Sequence, residues 1–202
     1  MTTMTARTFP ATRRARLLLI AIAACFVVPL AVAAVLVQFW RPTGSGAHGD
    51  LLDAARPLPE LALRQAGDTV STRELFDQRW TLLYWLPAGC DETCEQSLYY
   101  MRQVRLALGK DADRIQTLLA TDEPPVQPLS DWLAREHTAM QLTEADAGLS
   151  RFLAESFAAE NAEGWIYVID PLGNLLMRYG SSSDPGNILD DLKHLLKLSR
   201  IG

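Results

Sequence analysis

Apolar residues along this chain fall into one long unbroken run and a series of short ones. Residues 17–40 (LLLIAIAACFVVPLAVAAVLVQFW) carry no charge over 24 positions. As a helix rising about 1.5 Å per residue they reach roughly 36 Å, enough to cross a hydrocarbon core of about 30 Å. The pattern predicts one transmembrane helix, kinked at Pro29, with Phe39 and Trp40 beside Arg41 as an interfacial anchor. Ala31, Val32 and Ala33 also make a small-residue cleavage site of the signal-peptide kind. The apolar run continues through Val35, Leu36, Val37, Phe39 and Trp40, longer than a signal peptide needs, which favours an uncleaved anchor.

Beyond it, PTGSGAHG reads as a flexible tether, placed at residues 41–50, with His48 a solvated linker residue. The folded domain is expected over residues 51–202. LPELAL (58–63) reads as a short strand followed by a turn at Gln65 to Asp68, and Ser71 with Glu74 forms a capping pair. WTLLYWL (80–86) is a nearly continuous apolar run, the signature of a central strand covered on both faces. Pro87 and Gly89 break it. From Asp91 onward Leu98, Met101, Val104 and Leu108 form one helical stripe ending at Gly109, and IQTLLA (115–120) makes the next strand. Strand, turn, helix and strand in that order predict a parallel crossover unit. Pro124, Pro125 and Pro128 predict a rigid loop, with helices over 129–137 and 148–159. WIYVID (165–170) and LLMRY (175–179), joined by Pro-Leu-Gly-Asn, predict a hairpin. Asp184 and Pro185 open a last helix, whose buried stripe is Ile188, Leu192, Leu195 and Leu196.

Charge adds an orientation. Four arginines (Arg7, Arg13, Arg14, Arg16) and no acid precede Leu17, whereas the chain from Pro42 onward holds 14 basic and 24 acidic residues. Positive charge on the amino-terminal side predicts residues 1–16 as a cytoplasmic tip and the acidic domain on the far side of the inner membrane, in the periplasm. A net charge of −5 offers no reason to expect nucleic acid, and 49% hydrophobic with 21% charged residues excludes a disordered or collagenous chain.

The exported side is oxidising, which changes how cysteines are read. Cys25 lies in the apolar run and serves there as a small apolar residue. Cys90 and Cys94 are the thiols outside the membrane, so they either pair or hold a metal together. They sit where the central strand hands over to a helix. The expected geometry puts Cys90 at the helix amino terminus, where the thiolate is favoured, and Cys94 one turn later. Such a pair can exchange disulfides or, as two thiolates, hold a soft ion such as Cu(I). A plain stabilising disulfide is the third alternative, although closing so small a loop removes little unfolded-state entropy. Asp91 and Glu92 between the sulfurs oppose thiolate formation and welcome a cation.

The strand WTLLYWL, the Cys-x-x-x-Cys at the head of a helix and the segment IYVIDPLGNLLMRY together resemble the thioredoxin-like superfamily. The nearest likeness is to the Sco/SenC group of membrane-anchored cytochrome c oxidase assembly proteins. This resemblance implies an α/β, thioredoxin-like fold behind a single amino-terminal transmembrane helix. It also implies copper delivery to, or cysteine reduction at, a respiratory oxidase subunit or another exported thiol protein. Carried onto this sequence, the site residues are Cys90 and Cys94, catalytic for thiol exchange or metal-binding for copper. Two departures accompany it: Asp91 stands where the group usually has proline, and Ala162 stands at or near the place of its third copper ligand, a histidine. His137, Met101 and Met140 are the remaining donors, with surface and core packing as their simpler roles, and His194 is expected to be exposed.

Two further functions fit the same residues. One is a general periplasmic thiol-disulfide oxidoreductase; the other is a chemically inactive thioredoxin-like binding module that docks a partner through its acidic surface. Tyr84, Trp85, Tyr99 and Tyr100 are expected mainly to pack the core, with an aromatic lip around Cys90 as the alternative.

Overall fold

The computed structural model describes residues 13–39, 46–87, 89–199 and 201. The tip before residue 13, Trp40 and the first part of the expected tether lie outside the described residues. Two compact units are present, split at Gly44 and Ser45.

The first unit is helix α1 (Arg13–Phe39), 27 residues with Pro29 inside it. Its stretch Ala15–Val35 has a mean hydropathy of 2.9, long and apolar enough to cross a membrane. Leu17, Ile20, Phe26 and Leu30 are all exposed.

The second unit is an eight-stranded mixed sheet with helices on both faces. Its strands are β1 (Asp50–Pro57), β2 (Ala62–Gln65), β3 (Asp68–Ser71), β4 (Trp80–Leu86), β5 (Ile115–Thr121), β6 (Met140–Glu144), β7 (Trp165–Ile169) and β8 (Asn174–Gly180). They lie in the order β1-β8-β7-β4-β5-β6-β2-β3. Pairing is parallel for β4 with β5 and β5 with β6, and antiparallel between β4 and β7 and within the β7–β8 hairpin. The helices are α2 (Thr72–Phe76), α3 (Glu92–Ala107), α4 (Leu129–Glu136), α5 (Ala147–Ser156) and α6 (Pro185–Leu198), with a 3-10 turn at Gly109–Arg114.

β4 explains the core. All seven of its residues are buried, because successive side chains point to opposite faces and both faces are covered. Trp80, Leu82, Tyr84 and Leu86 pack with Leu98 and Met101 of α3 and Leu192 of α6. Leu83 and Trp85 pack on the other side with Leu149 and Leu153 of α5. Tyr84 and Trp85 therefore pack on opposite faces of the sheet.

Several expectations are corrected. The strand expected at 58–63 begins at Ala62, because Pro59 has no N–H for a ladder and Leu61 accepts instead from the Thr72 N–H at 3.2 Å. β1 occupies Asp50–Pro57, where no strand was expected, and pairs with β8 at the sheet edge. β6 lies in a stretch assigned no strand; it is recruited by the open side of β5. His48 is not a free linker residue. Its backbone N–H donates to Asp191 Oδ2 at 2.8 Å, and its Nδ1 lies 3.1 Å from Oδ1.

Candidate redox site between two grooves

Parallel strands β4 and β5 end at the same edge of the sheet, so the loops that follow them are neighbours. The loop after β4 carries Cys90 and leads into α3; the loop after β5 carries Pro124, Pro125 and Pro128 and leads into α4. This is the edge where an α/β sheet places its chemistry.

Cys90 and Cys94 are joined by a disulfide, with Cα atoms 5.2 Å apart. Cys90 lies at the amino terminus of α3, one residue before its cap. Asp91 takes the cap: its Oδ1 accepts from the Cys94 N–H at 2.8 Å, which makes Cys94 the third helical residue. This cap explains the geometry. An extended residue at 91 lets the chain approach α3 from the side, and the fixed Cys94 backbone points its sulfur back toward residue 90.

The two cysteines differ in exposure. Cys94 is 2% exposed and packed with Leu98 and Tyr84, whereas Cys90 is half-buried and opens into solvent. A cleft of about 540 Å³ beside Cys90 is formed by Leu86, Pro124, Val126, Leu129 and Trp132, with Glu95, Glu123 and Arg135 at its margins. A smaller groove of about 330 Å³ reaches Cys94 and is lined by Tyr84, Asp91, Asn161 and Glu163. Burial raises the Tyr84 phenol above its ordinary range, with the carboxylates of Asp91 and Glu163 adding to the rise and a hydrogen bond with Ser97 opposing it. Tyr84 therefore stays a neutral hydroxyl next to the pair.

Of the other singled-out residues, Met101 is fully buried under α3, Met140 packs partly buried at the core margin, and His194 is exposed, as expected. His137 is a correction: it is 5% exposed, not on the surface. Its ring packs on Trp132 with centroids 4.5 Å apart. Burial lowers its pKa, with Arg102 lowering it further and Glu136 opposing. It does not line either groove beside the cysteines.

The expected place of the missing histidine is next to the pair. Asn161, Glu163 and Gly164 share a groove with Cys94, and Ala162 between them is buried, its carbonyl accepting from the Tyr167 hydroxyl at 3.0 Å. Among the described residues no cluster of three His, Cys, Asp or Glu side chains could hold a metal ion. The donor set does not fit a three-ligand copper site.

Core packing, the main expectation for the aromatics near the motif, holds for Tyr84 and Trp85, and the aromatic residue that lines the cleft comes from elsewhere. Tyr84 and Trp85 are buried and Tyr99 is exposed on α3, while Trp132 of α4 lines the cleft. The available signal was topological, since a proline-rich loop after the strand parallel to β4 must emerge beside the cysteines.

A β4-α3-β5 unit joined to a β7-β8-α6 unit, with a Cys-x-x-x-Cys disulfide at the strand-to-helix turn, defines a thioredoxin-like protein. The profile of the transmembrane-like, thioredoxin-like, C-terminal domain family matches residues 80–199, and the chain belongs to that family. No curated protein sequence matches the chain. Among solved structures, copper-bound ScoI of Bradyrhizobium japonicum is 18% identical with a TM-score of 0.52, covering 68% of this chain and 98% of its own. BsSco, a member of the Sco family of cytochrome c oxidase assembly proteins in which a disulfide switch was identified, is 15% identical with a TM-score of 0.54 over 72% of this chain and 96% of its own. A thiol:disulfide interchange protein from Bacteroides sp. is 12% identical with a TM-score of 0.53 over 74% of this chain and 93% of its own. At these identities the likeness is one of fold.

Proposed function

We propose that this protein is a membrane-anchored thiol-exchange factor whose Cys90–Cys94 pair passes electrons to or from the cysteines of an exported partner. The observation that carries this reading is the asymmetry of the pair: an accessible Cys90 at the mouth of a cleft and a buried Cys94 beneath it. Exchange requires one sulfur that a partner can reach and a second that resolves the mixed disulfide.

The partner's thiolate attacks the Cys90 sulfur, forming a mixed disulfide and breaking the Cys90–Cys94 bond. The electron pair leaves on the Cys94 sulfur, which takes up a proton. A second thiol of the partner then attacks its own half of the mixed disulfide and releases Cys90. The partner loses two electrons and two protons, and the pair gains them; the reverse sequence reduces a partner disulfide. The α3 amino terminus stabilises the developing thiolate, while Asp91, Glu92 and Glu95 oppose it.

The resemblance to the Sco group points to a respiratory oxidase subunit as the partner. The arginines before Leu17 favour a cytoplasmic amino terminus, an inner-membrane anchor at 17–40 and a periplasmic domain. Copper handling has weaker support. Reduction of the pair would free two thiolates suited to Cu(I), but residues 161–163 supply no imidazole beside them.

The test is a strain carrying Cys90→Ser or Cys94→Ser. The reading expects a fall in oxidase copper content and activity while disulfide formation in other exported proteins continues. A general loss of exported disulfides would instead favour a broad oxidoreductase. Full function in the double variant would favour a binding module.

A further inference from the structure

We propose that the cleft between Cys90 and the proline-rich loop is the partner-binding subsite, and that it takes an extended cysteine-bearing segment with apolar and basic residues flanking the cysteine. The inference deepens the thiol-exchange reading and rests on it. A partner sulfur that attacks Cys90 must bring its neighbouring residues into whatever surface adjoins that sulfur, and the larger of the two adjoining surfaces is this cleft.

The cleft's chemistry is specific. Part of its lining is apolar: Trp132 and Leu129 are partly buried, and Val126 is 77% exposed. A water-exposed valine and a partly buried tryptophan lining one cleft are surface that a partner's aliphatic side chain would cover favourably, at roughly 25 cal/mol per Å². Carboxylates also line the cleft and flank the disulfide in sequence. Glu95, one turn along α3, and Glu123 both line the cleft, and Asp91 and Glu92 are exposed on the adjoining turn. Arg135 is the one cation among the described residues lining the cleft, against the carboxylates of Glu95 and Glu123. A segment with a lysine or arginine next to its cysteine meets opposite charge there, and an acidic segment meets repulsion.

The second groove suits this role poorly. It is smaller and reaches Cys94, whose sulfur is shielded from an incoming thiolate.

The test uses the full chain in detergent micelles, oxidised, and follows loss of the Cys90–Cys94 disulfide by thiol alkylation and mass. Reductants are dithiothreitol and three synthetic peptide dithiols containing Cys-x-x-Cys: one with leucine before and lysine after, one with serine in place of leucine, and one with glutamate in place of lysine. The inference expects the leucine–lysine peptide to react about tenfold faster than the glutamate peptide, and the serine peptide to fall between them. Val126→Ser should remove the leucine preference and Glu123→Gln should shrink the lysine preference, each read as the ratio of one peptide's rate to another's within the same variant. Val126 and Glu123 are exposed, so neither change threatens the fold. Equal rates for the three peptides, with normal reduction by dithiothreitol, would overturn the subsite and leave thiol exchange standing. A pair that dithiothreitol cannot reduce in the folded chain would overturn both.

Discussion

The Asp91 carboxylate accepts a hydrogen bond from the backbone N–H of Cys94 at 2.8 Å, so the residue between the two sulfurs is also the cap of the helix that holds one of them. Proline, which the Sco group usually carries at this position, could not make that bond. The cap predicts that Asp91→Ala destabilises the folded chain by about 1 kcal/mol, while Asp91→Asn stays near the native value. Thermal unfolding of the oxidised chain checks the difference.

Exposure of the two cysteines predicts an order of reaction. After mild reduction, Cys90 should be alkylated by iodoacetamide at least about tenfold faster than Cys94, since only the former meets solvent. Peptide mapping at early times reads the ratio. Equal labelling would mean that Cys94 is freed whenever the disulfide opens.

Acidic residues around α3 bear on the redox balance. Glu92 and Glu95 lie in its first turn, where they oppose a thiolate at the reduced pair. Glu95→Gln should stabilise the reduced form by about 0.5 kcal/mol and raise the reduction potential by roughly 10 mV, more at low ionic strength. A titration against glutathione at two salt concentrations measures it.

Much of this was legible in the sequence, for identifiable reasons. WTLLYWL is buried on both faces, so its composition announced β4 to the residue. The hairpin after Trp165 and the helix at Pro185–Leu198 carried their own turn and cap signals. What failed lay at the sheet's periphery. β1 is exposed at seven of its eight positions and β6 is half-exposed, so neither shows the alternation that marks a strand; both exist because a neighbour offers an open ladder. The cysteine pair was visible as a motif, but the cleft was not, because Val126, Trp132 and Cys90 meet only through the parallel pairing of β4 and β5. His48 was hidden for the same reason, its partner Asp191 being 143 positions away.

That partner yields a pH prediction. Asp191 is buried on α6 and accepts from the Tyr179 hydroxyl at 2.7 Å and from the backbone N–H groups of His48 and Gly49. Gly49 is needed there, since a Cβ would come within 2.6 Å of the Tyr179 ring. Burial pushes the Asp191 carboxyl upward, but the hydrogen bonds from Tyr179, His48 and Gly49 outweigh it and hold the carboxyl below its ordinary range. A folded-state value below the unfolded one stabilises the fold above the unfolded pKa, and that contribution is lost as pH falls through the folded value. Asp191→Asn should therefore lower the unfolding temperature at neutral pH and flatten its decline toward acid. Asp191→Ala should cost about 2–4 kcal/mol by leaving the Tyr179 hydroxyl and two backbone donors without their partner. Calorimetry from pH 3 to 7 compares the slopes.

The missing imidazole predicts a gain of function. Reduced wild-type chain should hold Cu(I) through two sulfurs alone, and Glu163→His, exposed and in the Cys94 groove, should tighten it by at least about tenfold. Competition with a Cu(I) chelator, with the Cys90→Ser variant as the blank, reads the change.

The central claim is that the Cys90–Cys94 bond is made and broken in the folded state. Equilibrating the full chain in micelles with dithiothreitol buffers of graded potential, while recording both thiol content and circular dichroism, tests it most directly. A reversible two-electron transition above about −300 mV with the fold intact is the predicted result. Reduction only below that potential, or only together with unfolding, would make the bond a structural staple and contradict the account.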